Sequence, residues 1–238
     1  MLKLTSPLLA VCLWWGCGLQ QSPHTTDICI VFDRTDSIRN YPTAQILLSP
    51  FDLAHEKFQG IHMVFTTISD KDLNGRIEID LKSQNELTSN IVERDADIKR
   101  FTIRVQHTLD SMRNEPTCSH SIVFRTIARE ANSLAVSRAD NKYLMVFSDL
   151  YEANDSVNFY HQNIQQQIRQ HPDTVTARLE RSLPLQRLGG VAIWLLYEPK
   201  SFADNNVFMP VATMYKHLFE AQGAQVHIAT QFAVPWKP

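Results

Sequence analysis

Three short segments of the chain carry small oxygen-bearing side chains at spacings that suit one chemistry. Asp33-Arg34-Thr35-Asp36-Ser37 follows the apolar run 28–32, and Ser148-Asp149 follows the strand-like run 142–147. Ser119, His120 and Ser121 stand just before a helical pattern. Carboxylate and hydroxyl oxygens are hard donors, and together they suit Mg²⁺ or Mn²⁺ rather than metals that want sulfur or imidazole. The same residue types cap helices and open turns, so Asp33 to Ser37 and Ser121 also read as helix caps and Asp149 as a turn residue. Asp36 reads as a solvated or capping residue. His120 reads as a bystander, because Mg²⁺ prefers oxygen.

Other chemistries lack their residues. The seven glycines build neither a Walker A loop nor a GxGxxG turn. His55-Glu56 opens like a zinc-protease HExxH, but Gln59 stands where the second histidine belongs, and no GxSxG elbow exists. No CxxC pair is available for a zinc ribbon or a dithiol motif. Cys29 and Cys118 read as two separate thiols, with a disulfide as the alternative. A net charge of −2 leaves no basic excess to neutralise phosphates, so nucleic acid is not expected as a partner. With 44% hydrophobic and 20% charged residues, the composition is that of a globular protein rather than a disordered one.

The elements that must position these segments alternate along the chain. Apolar runs at 28–32, 61–68, 142–147, 191–197 and 226–230 predict buried strands. Helical patterns cover 43–58, 86–114, 121–137, 156–170 and 205–222, while 173–188 is ambiguous and reads at most as a short basic helix. Pro50 predicts a kink or split in the first helix. Ile91, Ile98, Phe101, Val105, Leu109 and Met112 form one stripe on the second. Asn74-Gly75 and the alternation over 76–81 predict an antiparallel hairpin strand. Trp194 reads as core, and Gly223 as a helix stop. Buried strands alternating with helices imply an α/β fold: a doubly wound, mostly parallel six-stranded sheet with one antiparallel edge strand. Ligands of such sheets bind beyond the carboxyl ends of the strands, where all three segments fall.

At these residues the chain resembles the von Willebrand factor A domain family. Asp33-x-Thr35-x-Ser37 is similar to the family's DxSxS motif, with Thr at the middle position. Asp149, preceded by Ser148, matches the family's later aspartate. Ser121 stands where the family has a threonine before a helix, with Ser119 as the other candidate. The element order over 26–232 is also similar. The resemblance implies a metal-ion-dependent adhesion site for Mg²⁺ or Mn²⁺. Thr35 and Ser37 would bind the ion directly, Asp33 and Asp149 would neutralise it directly or through water, and Ser121 would complete the ring. A protein partner would donate a Glu or Asp to the ion. The implied role is binding, not catalysis. A Mg²⁺-dependent phosphoester hydrolase and a degenerate, metal-free structural domain are the alternatives. Some relatives also switch between open and closed states by moving the last helix.

Residues 1–16, MLKLTSPLLAVCLWWG, have the shape of a signal peptide, and no apolar run reaches the ~18 residues of a membrane span. Gly16 before Cys17 resembles a bacterial lipoprotein signal, although Trp14 and Trp15 depart from its preferences. Polar residues read as a tether over 17–26 before a single von Willebrand factor A-like domain over 27–238, and the signal resemblance implies cleavage before Cys17 and lipidation of Cys17. It places the protein in the cell envelope, facing the periplasm or the exterior and held to the membrane by the lipid alone. Secretion in soluble form is the alternative.

Overall fold

The computed structural model describes residues 24–35, 41–71, 73–154 and 157–230. Its six strands are β1 (Thr25–Asp33), β2 (Gly60–Ile68), β3 (Arg76–Leu81), β4 (Asn141–Phe147), β5 (Val191–Leu196) and β6 (Gln225–Ala229). They form one sheet in the order β3-β2-β1-β4-β5-β6. All pairs are parallel except β2 with β3. The fold is therefore the doubly wound α/β sheet with one antiparallel edge strand. β1 takes in Thr25 and Thr26, the last two residues of the expected tether.

Helices cover both faces. α1 (Ala44–Leu48) and α2 (Ile91–Arg113) pack on one, against Ile30, Phe32, Met63, Phe65 and Met145. α3 (Val123–Ala135), α5 (Pro172–Ser182) and α6 (Phe202–Ala221) pack on the other, against Cys29, Val31, Leu144, Val146 and Ile193, with α4 (Gln162–Gln170) beside them. The apolar runs are continuous because each central strand feeds alternate side chains to two cores.

Several boundaries differ from the sequence expectation for local physical reasons. The first helix stops at Leu48 and continues only as a 3-10 turn over Ser49–Phe51. Pro50 has no N–H to give to the Ile46 carbonyl, and the Ser49 hydroxyl takes that carbonyl at 2.9 Å. α2 starts at Ile91 rather than near 86, because Asn90 caps it by accepting from the Val92 N–H at 3.0 Å. Phe101, Val105, Leu109 and Met112 of its stripe are buried, but Ile91 is exposed. The ambiguous segment is helix α5, opened by Pro172 in its first turn. The preceding helix begins at Gln162, which leaves Val157 and Tyr160 outside it. Trp194 is only half-buried and stacks on His227 at 4.4 Å between ring centroids. Cys29 and Cys118 are separate thiols.

One buried cation fixes the hairpin to its helix. Arg94 of α2 is 1% exposed. Its guanidinium donates to the carbonyls of Lys57 at 2.5 Å, Gln59 at 2.7 Å and Lys82 at 2.8 Å. Those carbonyls lie just before β2 and just after β3, so one side chain ties both open ends of the hairpin to α2. Arg94→Met keeps much of the bulk but leaves three buried carbonyls without a donor. It is expected to cost about 3 kcal/mol or more in urea denaturation.

Candidate metal centre

The sheet order puts the carboxyl ends of β1 and β4 side by side. Phe32 pairs with Phe147, so the next residues along, Asp33 and Ser148, emerge as neighbours. From β1 the chain steps outward through β2 and β3, then crosses back to β4 and builds in the other direction. This reversal is the topological switch point at which such sheets bind ligands.

Asp33 is 1% exposed at this point, and a buried carboxylate needs donors. Its Oδ1 accepts from the Thr35 N–H at 2.8 Å and the Thr35 hydroxyl at 2.6 Å. Its Oδ2 accepts from the Ser148 hydroxyl at 2.6 Å. Ser148 Oγ in turn accepts from the Leu150 N–H at 2.8 Å, helping Leu150 hold a left-handed φ of 65°. Asp149 turns its Oδ1 back to the Tyr151 N–H at 2.9 Å, while its Oδ2 lies 3.5 Å from the Tyr160 hydroxyl. Tyr160 packs edge-on against Tyr151.

The loop before α3 joins from a third direction. Arg34 anchors its start: the guanidinium donates to the Pro116 carbonyl at 2.6 and 3.0 Å and lies 3.3 Å from Glu115. The Arg34 carbonyl accepts from the Cys118 N–H at 2.9 Å. At its far end the Ile122 N–H donates to the Ser69 carbonyl, beyond β2, at 2.9 Å. Ser121 is buried between these ties, with its hydroxyl donating to the Tyr151 carbonyl at 2.8 Å. Ser121 and Asp149 therefore grip the carbonyl and the N–H of the same residue. Ser119 is exposed and its hydroxyl lies 3.0 Å from His120 Nδ1, so Ser121 is the serine built into the interior.

Of the residues expected at the site, Asp33 and Thr35 touch directly. Asp149 joins them through its neighbour Ser148, and Ser121 joins Asp149 through Tyr151. Ser37, Asp36 and the lipidation candidate Cys17 lie outside the described residues.

Glu152 is a central residue that sequence reasoning did not single out. It is 1% exposed. The N-cap of α3 is Ile122, not Ser121, and Ile122 has no side-chain oxygen to offer. Glu152 fills the gap from the β4 loop, its Oε2 accepting from the Phe124 N–H at 2.8 Å and its Oε1 from the Asn154 amide at 2.5 Å. The signal in the sequence is the apolar pair Ile122-Val123 at a helix start, which demands a cap from elsewhere. Burial, opposed by these hydrogen bonds and reinforced by the charge of Asp33, pushes the Glu152 carboxyl up to about 7. Burial also raises the Tyr215 phenol, with the charges of Glu152 and Asp149 adding to it. The Tyr151 phenol is raised by burial and then by Asp149. Among the described residues, neither buried phenol oxygen has a hydrogen-bond partner.

The donor set fits a hard cation. Thr35, Ser148 and Ser121 each spend their single hydroxyl proton on an acceptor within the fold and keep lone pairs for a ligand. Among the described residues no three His, Cys, Asp or Glu side chains gather as a metal cluster. An ion here would rest on hydroxyl oxygens and the two aspartates, as Mg²⁺ or Mn²⁺ allow.

No protein-family model matches the sequence, and no curated protein matches it. Solved structures do resemble the chain. A D319A mutant of the PilB minor pilin from Streptococcus sanguinis is 12% identical, with a TM-score of 0.48 over 89% of this chain and 59% of that one. The pilus adhesin SpaC from Lactobacillus rhamnosus GG, in its open conformation, is 8% identical, with a TM-score of 0.40 over 90% of this chain and 29% of that one. An aerotolerance-related membrane protein from Bacteroides fragilis NCTC 9343 is 8% identical, with a TM-score of 0.33 over 86% and 92%. The chain thus spans 59% of the length of the minor pilin it matches. Among the described residues no helix is long and apolar enough to cross a membrane.

Glu152 makes stability depend on pH in a definite direction. Its carboxyl holds a proton more tightly in the folded chain (about 7) than in the unfolded one (4.5), so the folded state binds more protons between these values. This group's contribution is therefore fully present below the unfolded value and is lost as pH rises through about 7. In urea denaturation with chelator present, wild type is expected to gain on Glu152→Gln by about 3 kcal/mol between pH 8 and pH 5. A constant difference between the two proteins across that range would contradict the assignment.

Proposed function

We propose that this chain is a metal-dependent protein-binding domain of the von Willebrand factor A type, acting in adhesion or assembly at the cell envelope. The observation that carries the reading is the Asp33 carboxylate. It binds the Thr35 hydroxyl of its own loop and the Ser148 hydroxyl of the β4 loop, joining the two segments that carry the family's motif residues. Thr35, Ser121 and Ser37 would hold Mg²⁺ or Mn²⁺, with Asp33 and Asp149 balancing its charge. The bound ion would supply a Lewis-acidic position that an external carboxylate can fill. The chain's own residues prepare that position by fixing hydroxyl oxygens and excluding water from the buried Asp33.

A binding role suits these carboxylates better than catalysis. The Asp33 carboxylate is taken up by the Thr35 N–H and the Thr35 and Ser148 hydroxyls, and Asp149 Oδ1 is turned to the Tyr151 N–H. Cys17 would hold the domain to the membrane through a lipid. Cys17→Ser is accordingly expected to move the protein from the detergent-extracted fraction to the soluble one, and an unchanged distribution would remove the anchor.

Calorimetric titration of Mg²⁺ and Mn²⁺ into the full-length protein is the test of the site. Wild type is expected to bind, and Asp33→Ala to lose binding while keeping its circular dichroism spectrum. The same loss is expected for capture of a partner protein that presents an exposed Glu or Asp. Equal binding by wild type and Asp33→Ala would take the metal out of the reading. Equal absence of binding would favour a metal-free structural domain.

A further inference from the structure

We infer that Glu152 is the positioning residue of this site: its buried carboxylate latches the amino end of α3, and with it Ser121, to the loop that carries Asp149. The inference rests on the metal-binding reading above and goes beyond it, because Glu152 belongs to no part of the adhesion motif.

Four contacts make the latch. The Phe124 N–H donates to Glu152 Oε2 at 2.8 Å. The Ser121 hydroxyl donates to the Tyr151 carbonyl at 2.8 Å. Ser121 and Ala153 exchange backbone hydrogen bonds at 3.1 and 3.4 Å as an isolated antiparallel bridge. All four run between the start of α3 and residues 151–153, about 30 positions apart in the chain. Glu152 is the one side chain among these contacts that meets the helix itself. It faces orphan N–H groups at the positive end of α3, where a carboxylate is favoured, and Asn154 and the Phe159 N–H steady the Glu152 side chain and carbonyl from behind. The second and third contributions to the site are thereby held as one body. Asp33 meets that body separately, through Ser148.

A plain helix cap and a positioning residue make different predictions, and a relocated cap separates them. Glu152→Ala removes the cap and, with it, the one latch contact that reaches the helix itself. Adding Ile122→Ser restores an oxygen at the N-cap position of α3, and so the cap, without restoring any tie to the β4 loop. In full-length protein, Glu152→Ala with Ile122→Ser is expected to recover most of the urea stability lost in Glu152→Ala. Its Mg²⁺ affinity is expected to stay roughly 10- to 100-fold below wild type, as when a group supporting a metal ligand is removed. Amide exchange at Ser121 and Ala153 is expected to remain faster than in wild type. Recovery of Mg²⁺ affinity and exchange protection along with stability would overturn the inference and leave the metal reading intact. No Mg²⁺ binding by wild type itself would overturn both, and that control tells the two failures apart.

Discussion

The carboxyl edge of this sheet depends on the side-by-side pairing of β1 with β4. That pairing delivers Asp33 and Ser148 to the same place, and their 2.6 Å hydrogen bond is the first consequence. A carboxylate as deeply buried as Asp33 costs several kcal/mol unless donors converge on it. Two come from Thr35 and one from Ser148, so the loops after both strands take their shape from the need to satisfy one side chain. Arg34 then turns away toward Pro116 and Glu115 and draws the third loop in. Strand order, loop conformation and candidate site are in this sense one problem with one solution.

Much of this architecture is legible in the sequence, because it rests on periodicity and on local chemistry. Ile28 to Phe32 can be continuously apolar only in a strand covered on both faces, and the alternation of Ile77, Ile79 and Leu81 belongs to an edge. Asp33, Thr35 and Asp149 stand out because they follow such strands directly. Where the expectation slipped, a side chain acting on a neighbouring backbone group decided the matter. Asn90 moved the start of α2, and Pro50 with Ser49 ended α1. Arg94 was not legible, and for Glu152 the apolar start of α3 at Ile122-Val123 signals only that a cap must come from elsewhere. Each is a charged residue in an ordinary polar context, and its importance comes from backbone groups 12 to 37 positions away for Arg94 and 28 for Glu152. Patterning reports which face of an element is apolar; it does not report which distant carbonyl or N–H has been left without a partner.

The two buried acids at the strand ends meet the cost of burial in opposite ways. Asp33 is satisfied mainly by hydroxyls, whose oxygens retain lone pairs. Glu152 is satisfied by N–H groups at a helix end and by an amide, which leave nothing for a ligand. On the metal-binding reading, the hydroxyls around Asp33 would form the surface that meets a ligand, and Glu152 the frame behind it.

The frame and the surface remain coupled through charge. Asp33 helps raise Glu152, and Glu152 with Asp149 helps raise Tyr215. In both groups burial is the larger cause, and neighbouring carboxylates add to it. A negative potential lined by hydroxyl lone pairs is the chemical complement of a hard cation. A cation in that position would offset the charge of Asp33 and draw Glu152 toward its anionic form. The anion is the form that accepts best from the α3 N–H groups. Offsetting the charge of Asp33 would bring the Glu152 carboxyl down toward its ordinary value, and so lessen the stability lost as pH rises through about 7.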